Sequence, residues 1–517
     1  MTHHPDFHAA RSPDHPALIM ADSGVVLTYA ALVAHANQLA HMLVSLGYEE
    51  GDCVAILMEN QPRFIEACWA AKNTGLHYVS ISKQLHATDI AFILQDCGAR
   101  VLLTSTALAE LATAAVGLLQ RRPALLMADA AVAPFDSLGD AMARQPAFRV
   151  PGRRRGNSLL YSSGTTGQPK GIRVPLANVL SDEPPKRFAH LVADYGLDAR
   201  SAFLVPGPFY HVAPQRLLMS VLRCGGTVIG FERFDAALCL ASITRFQATS
   251  GFFVPTMFTL MLKLPGELRA QADVRSLRFA IHGAAPCPIP VKEAMIAWWG
   301  PVLHEMYGGS EGVGNTGIDS ADWLAHRGSV GRPRTGTEVH VVDGDGNECA
   351  PGQTGLIYLW NGRSFDYLND PAKTESTRHS KGWVTLGDIG HVDAEGYLYL
   401  TDRQSHMIIS GGGVNVYPQE VETVLQAHPM VEDVAVIGIP HEELGESAHA
   451  LVQTAQQVND ATALRAELLA LCRAQLGRIK CPRSVDFVTE PLPRSDAGKL
   501  LKREIRRAYW NGETRLV

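Results

Sequence analysis

Up to Asp402 the chain is built from short runs rich in Val, Ile and Leu that alternate with helix-length amphipathic stretches. This alternation restricts the fold more than any other feature, because strands separated by helices return in the same direction and lie in largely parallel sheets. Residues 53–58, 100–104, 159–162, 202–205, 226–230 and 277–282 are the candidate strands of an α/β protein. From Thr337 the texture changes to short alternating strands, residues 338–342 and 354–359, around the turn signal Asp343-Gly344-Asp345-Gly346. Residues 337–400 therefore read as a β-rich subdomain. A second change follows Asp402-Arg403, with strands expected at 407–409, 434–437 and 448–453 and helices at 418–427 and 461–476. The expected organisation is a large N-terminal domain of stacked αβ layers, residues 1–402, and a small α+β C-terminal domain, residues 403–517. Between Pro134 and Gly156 a Pro, Ala and Arg mixture ending in Arg153-Arg154-Arg155 reads as an exposed connection.

A net charge of −6 over 517 residues offers no basic face for nucleic acid, so any anionic ligand must be held by local groups. Nine cysteines without Cys-x-x-Cys spacing suit neither a disulfide framework nor a zinc site, and a reducing cytoplasm is the expected location. The N-terminus lacks the pattern of a secretory signal, and no apolar stretch is long enough for an integral membrane segment.

One segment points to chemistry. Ser162, Ser163, Gly164, Thr165, Thr166, Gly167, Gln168, Pro169, Lys170 and Gly171 follow the strand ending at Tyr161. Its glycines let backbone N–H groups approach an anion, its hydroxyls donate further hydrogen bonds, and Lys170 adds charge, so the segment can cradle phosphates. It is not a Walker loop, because Gln168-Pro169 separates the lysine from the second glycine.

The string closely resembles the signature loop of the adenylate-forming superfamily, which includes acyl-CoA synthetases, and further motifs of that family follow in order. Pro208-Phe209-Tyr210-His211, Gly283-Ala284-Ala285-Pro286, Tyr307-Gly308-Gly309-Ser310-Glu311, Thr385-Leu386-Gly387-Asp388, Asp402-Arg403, Gly411-Gly412-Gly413 and Pro493 to Lys499 are similar to its successive elements. The resemblance implies an ATP-dependent enzyme that converts a carboxylic acid to an acyl-adenylate and then to a CoA thioester. It assigns Ser162, Ser163, Gly164, Thr165, Thr166, Gly167 and Lys170 to the ATP phosphates, and Thr165 and Glu311 to Mg²⁺. Gly283, Ala284, Ala285, Tyr307, Gly308 and Ser310 fall to the adenine side, and Asp388 and Arg403 to the ribose. Lys499, Thr166, Glu311 and His211 are the implied catalytic group. Gly411 and Gly412 would admit the thiol arm of CoA.

The family's C-terminal domain rotates between half-reactions, and here Ser405 stands near a hinge position usually occupied by Asp or Lys. Gly308 and Gly309 carry no side chain, so the resemblance suggests a deep pocket for a medium, long or ring-bearing acid, with Phe209, Val254, Met257, Phe258 and Gly283 as candidate walls. No acidic residue near Tyr210 is available to pair with an amino-acid substrate. CoA is the expected acceptor, with an acyl carrier protein as the alternative, and a homodimer is compatible with the sequence. His282 reads as a structural histidine.

Overall fold

The computed structural model describes residues 3–162, 169–410, 414–441, 445–495 and 498–510. Cys53–Leu57 is buried at every position, as a parallel strand covered on both faces must be. It lies inside a six-stranded sheet ordered Asp136–Ser137, Ala124–Met127, Val101–Thr104, Cys53–Leu57, His77–Ser80, Asn157–Ser158, parallel throughout.

A second sheet has thirteen strands. Pro16–Met20, Thr227–Gly230, Ala202–Val205, Ser250–Phe253, Phe279–Gly283 and Leu303–Gly308 form its parallel half. At Leu303–Gly308 the pairing turns antiparallel and continues through Asn315–Asp319, Ser329–Pro333, Leu398–Arg403, Val384–Val392, Gly355–Trp360 and Glu338–Val342. The strands expected as a β-rich unit thus extend the parallel sheet. They also bury an apolar cluster of their own around Ile357, Leu359, Val384 and Leu398.

The expectation of an exposed connection between Pro134 and Gly156 holds for most of its positions and is corrected at the buried ones. Leu138–Ala143 is a helix whose Leu138 and Met142 are buried in the main core, and Val150 is buried as well. Arg154 pairs with Glu50 at 2.5 Å and the Arg155 guanidinium donates to the Glu183 carbonyl at 2.6 Å. The apolar spacing of Leu138 and Met142, one helical turn apart, outweighed the Pro and Arg content around it.

Beyond Asp402 the chain forms a separate domain with its own core, built on Asp433–His441, Gly445–Gln453 and Ser484–Val488 and the helices Pro418–Gln426 and Ala461–Lys480. The Asp402 carboxylate accepts the Arg403 and Gln419 amides at 2.6 and 2.7 Å, which fixes the entry to that domain.

Candidate active site

Three of the motif segments converge because they follow neighbouring parallel strands. Ala202–Val205, Ser250–Phe253, Phe279–Gly283 and Leu303–Gly308 lie side by side, so their carboxyl ends open on one edge, where open α/β sheets receive ligands. Residues 208–211, 283–285 and 307–311 leave from that edge. A side chain at Gly283 would collide with the Met306 carbonyl of the adjacent strand. The next residue, Ala284, has φ of +69°, a conformation that a residue with a Cβ adopts only where its surroundings impose it.

Asp388 is the centre of the polar arrangement. Its Oδ2 accepts the Tyr307 hydroxyl at 2.7 Å, and its Oδ1 pairs with Arg403 Nε at 2.9 Å. Asp388 and Arg403 are direct partners across the hairpin, so strand register delivers the pair. Each carboxylate oxygen retains a lone pair, leaving room to accept two ligand hydroxyls. The Asp388 charge raises the pKa of Arg403, and burial with the same carboxylate raises that of Tyr307.

Glu311 Oε1 accepts the Tyr367 hydroxyl at 2.8 Å. Tyr367 lies opposite Ile172 on the strand Lys170–Arg173, which pairs with Leu160–Ser162 so that Lys170 faces Ser162. The two stems of the Gly-rich segment and the acidic residue therefore belong to one hydrogen-bonded unit. Burial, with Lys373 nearby, lowers the pKa of Lys170. Ser163, Gly164, Thr165, Thr166 and Gly167 lie outside the described residues, as do Gly411 and Gly412. Among the described residues no three His, Cys, Asp or Glu side chains are grouped to cage a metal. A single carboxylate such as Glu311 suits Mg²⁺, which completes its shell with phosphate oxygens and water.

Lys499 enters from the other domain. Gly498, with φ of +72°, is packed so closely on Thr256 that a Cβ there would lie 2.5 Å from the Thr256 hydroxyl. This contact seats the Lys499 loop against the N-terminal domain. Lys499 keeps an exposed surface, yet the protein around its ammonium and then the Arg403 charge lower its pKa, with Asp388 and Glu311 opposing. Its side chain stands in an open cleft, wetted by solvent and surrounded by protein.

His211 precedes the helix Val212–Cys224, and its buried Nε2 has no hydrogen-bond partner. Burial, reinforced by Lys499, holds its pKa down to about 4. It is neutral near pH 7, and we expect no titration of His211 in the pH–rate profile between pH 5.5 and 8. A group near pH 6.5 that vanishes in His211→Ala would contradict this.

A Cβ at Gly308 would lie 3.0 Å from the Gly314 carbonyl and 3.2 Å from the Asn315 side chain, and one at Gly309 would meet Glu311 and Leu386. Both glycines permit close packing at these positions. Phe209, Val254, Met257 and Phe258 are all buried members of the main core. Conversely, Tyr367, Lys292, Glu305 and Arg216 were not singled out in the sequence, since a lone tyrosine or charge carries no local signal. Arg216 Nη2 donates to the Ser310 carbonyl at 3.0 Å, tying the helix after His211 to the Glu311 segment.

The family model for AMP-binding enzymes matches residues 6–363, and that for their C-terminal domain matches residues 420–499. The chain is 33% identical over 507 residues to the long-chain-fatty-acid–CoA ligase FadD13 of Mycobacterium tuberculosis, covering 97% of each chain. It is 30% identical over 531 residues to the fatty acid–[acyl-carrier-protein] ligase ScoC of Streptomyces coeruleorubidus, covering 99% of this chain and 96% of that one. Its fold is similar to the amide bond synthetase McbA of Marinactinospora thermotolerans, with a TM-score of 0.83, 27% identity and coverage of 98% and 99%.

Proposed function

This chain belongs to the AMP-binding enzyme family, and we propose that it uses ATP to activate a carboxylic acid as an acyl-adenylate and then forms a thioester with CoA, releasing pyrophosphate and AMP. The observation that carries the reading is the convergence of Lys499, from the C-terminal domain, with Asp388, Arg403, Glu311 and His211. Adenylation moves carboxylate oxygen onto the α-phosphorus and expels pyrophosphate, so it needs negative charge held and the acid held in line.

In this reading Asp388 accepts the ribose hydroxyls, and Tyr307 lies against the adenine with the turn Gly283–Ala285. Ser162, Lys170 and the segment between them hold the phosphates. Thr165 and Glu311 would hold Mg²⁺, which neutralises phosphate charge when bound, and Thr166 belongs to the catalytic group. Lys499 meets the acid and the α-phosphate. The C-terminal domain turns about a hinge just after Arg403 to exchange Lys499 for the glycines at 411–413, where the thiol arrives. The N-terminal unit spans 1–402 and the C-terminal unit 403–517. All nine cysteines are free thiols, which supports a reducing cytoplasmic setting. No described helix is long and apolar enough to cross a membrane.

CoA is preferred as acceptor because FadD13, at 33% identity, is a CoA ligase by name. ScoC and McbA carry names with other acceptors, and fold alone does not decide among them. The test is a panel of carboxylic acids incubated with ATP, Mg²⁺ and CoA. AMP, pyrophosphate and a thioester are expected. ADP formation would refute adenylation, and AMP without CoA consumption would transfer the second step to a carrier protein or other acceptor.

Replacing Asp388 by Asn keeps the shape but removes the charge that Arg403 and the ribose would share. A hydrogen bond to a charged group contributes about 1.5–3 kcal/mol, so KM for ATP in pyrophosphate exchange should rise about 10- to 100-fold. An unchanged KM would take Asp388 out of the nucleotide site.

A further inference from the structure

The helix Val212–Cys224 that begins beside His211 carries a stripe of polar groups into the protein interior. Gln215, Arg216, Ser220 and Arg223 line one side of a small cavity, and Lys72 and Tyr78 line the other. Three of its lining residues are cations, and no carboxylate lines it. Arg223 is 2% exposed, and its Nη2 has no hydrogen-bond partner, nor does Arg216 Nε. Among the described residues neither arginine forms an ion pair. The acids that act on them electrostatically are Glu311 for Arg216 and Asp182 for Arg223, and Arg363, Arg149 and Arg155 oppose. Burial pushes both guanidinium groups down to about 10. Unpaired buried donors of one sign are costly and call for a matching anion.

The size of the space narrows what that anion is. It offers 20 Å³ to water-sized groups, roughly one or two of them. That suits the two oxygens of a carboxylate. Its place along the helix gives the reach. Arg216 lies five residues and Arg223 twelve residues after His211, about 7.5 and 18 Å along the axis at the rise of an α-helix. Arg216 also touches the Ser310 carbonyl, so the near end of the cavity adjoins the segment that carries Glu311.

We infer that this cavity receives a second anionic group of the acid substrate, so that the preferred substrate is a dicarboxylate whose distal carboxylate lies between Arg216 and Arg223, roughly 8 Å or more from the carboxylate that is activated. The Arg216 and Arg223 guanidinium groups donate to it, and Lys72 adds charge without needing a directed bond. The inference rests on the adenylation reading and specifies its substrate class.

The test compares kcat/KM for pyrophosphate release with α,ω-dicarboxylic acids and with monocarboxylic acids of matched length, including one ring-bearing pair. The expected result is a preference for the dicarboxylate of about tenfold or more, because a site of buried donors rejects an analogue that leaves them unpaired. In Arg223→Met that ratio should fall about tenfold or more, and Arg223→Lys should restore much of it. General damage to the fold would lower both rates together and leave the ratio unchanged. Should Arg223→Met not fold, Lys72→Met is read in the same way. A monocarboxylate preference in the wild-type chain, or a ratio unmoved by these variants, overturns the inference. So does a rise in the thermal midpoint with inorganic phosphate alone that Arg223→Met abolishes, if no dicarboxylate preference accompanies it, since that marks a free-anion site. Pyrophosphate release with monocarboxylic acids only would leave the adenylation reading standing. No release with any acid would remove that reading instead.

Discussion

Lys499→Ala should lower the rate of adenylate formation by about 10²–10³-fold, the loss typical of removing one preorganised group that faces developing charge. The ammonium is brought to Arg403, Asp388, Glu311 and His211 by a loop whose Gly498 packs on Thr256, so its position depends on the C-terminal domain being seated in this orientation. Thioester formation from a supplied acyl-adenylate should survive the substitution, because the domain then presents a different face. Equal loss in the two half-reactions would show that Lys499 is structural or shared. Its exposed surface implies a change in folding stability within about 0.5 kcal/mol. The lowered pKa gives a second readout. Only the protonated ammonium holds negative charge, so adenylation should fall as pH rises through a pKa below the ordinary lysine value of 10.5. Lys499→Arg should move that limb to higher pH, and a limb that stays in place would belong to another group.

Lys292→Met should cost about 3–5 kcal/mol of stability, read as a fall in the urea midpoint, because it leaves Glu305 as an uncompensated buried charge. Lys292 is fully buried, its ammonium lies 2.5 Å from Glu305 Oε2, and it sits 4.6 Å from the Trp323 ring centroid. His282, also buried and with neither ring nitrogen paired, lies 3.9 Å from the same oxygen, and burial holds it neutral. The pair ties the helix Ile289–Trp299 to the strand Leu303–Gly308, which carries Tyr307. Burial raises the pKa of Glu305 while Lys292 pulls it back. Without Lys292 that opposing pull is gone, and the carboxyl is favoured in its neutral form. The sign follows: the defect should be smallest at low pH, where Glu305 is protonated, and should grow as pH rises through the raised pKa. Lys292→Met combined with Glu305→Leu should recover most of the loss, since apolar replacement of a buried pair is often nearly neutral. A double variant as unstable as the single one would mean that shape, and not unpaired charge, is the cause.

The strand runs were legible because a strand buried on both faces must be apolar along its length, and Cys53–Leu57 shows that in sequence and structure alike. Leu138 and Met142 were not, because two apolar positions in a Pro- and Arg-rich stretch do not reveal that a core waits beside them. The motif around Tyr307 and Asp388 was legible as a resemblance. Their hydrogen bond, across 81 positions of chain, was not.

By itself the sequence determined the α/β class, the two-domain order and the family, because apolar periodicity and ordered motifs are local properties of a chain. Only the tertiary structure decided what lies beside what. It packed Gly308 against Gly314 and Asn315, joined Asp388 to Arg403 through strand register, and brought Lys499 across a domain boundary. It also set half-buried Arg216 and buried Arg223 against one cavity lined by no acid, because a charge's surroundings are a property of the fold and no residue carries its environment in its name.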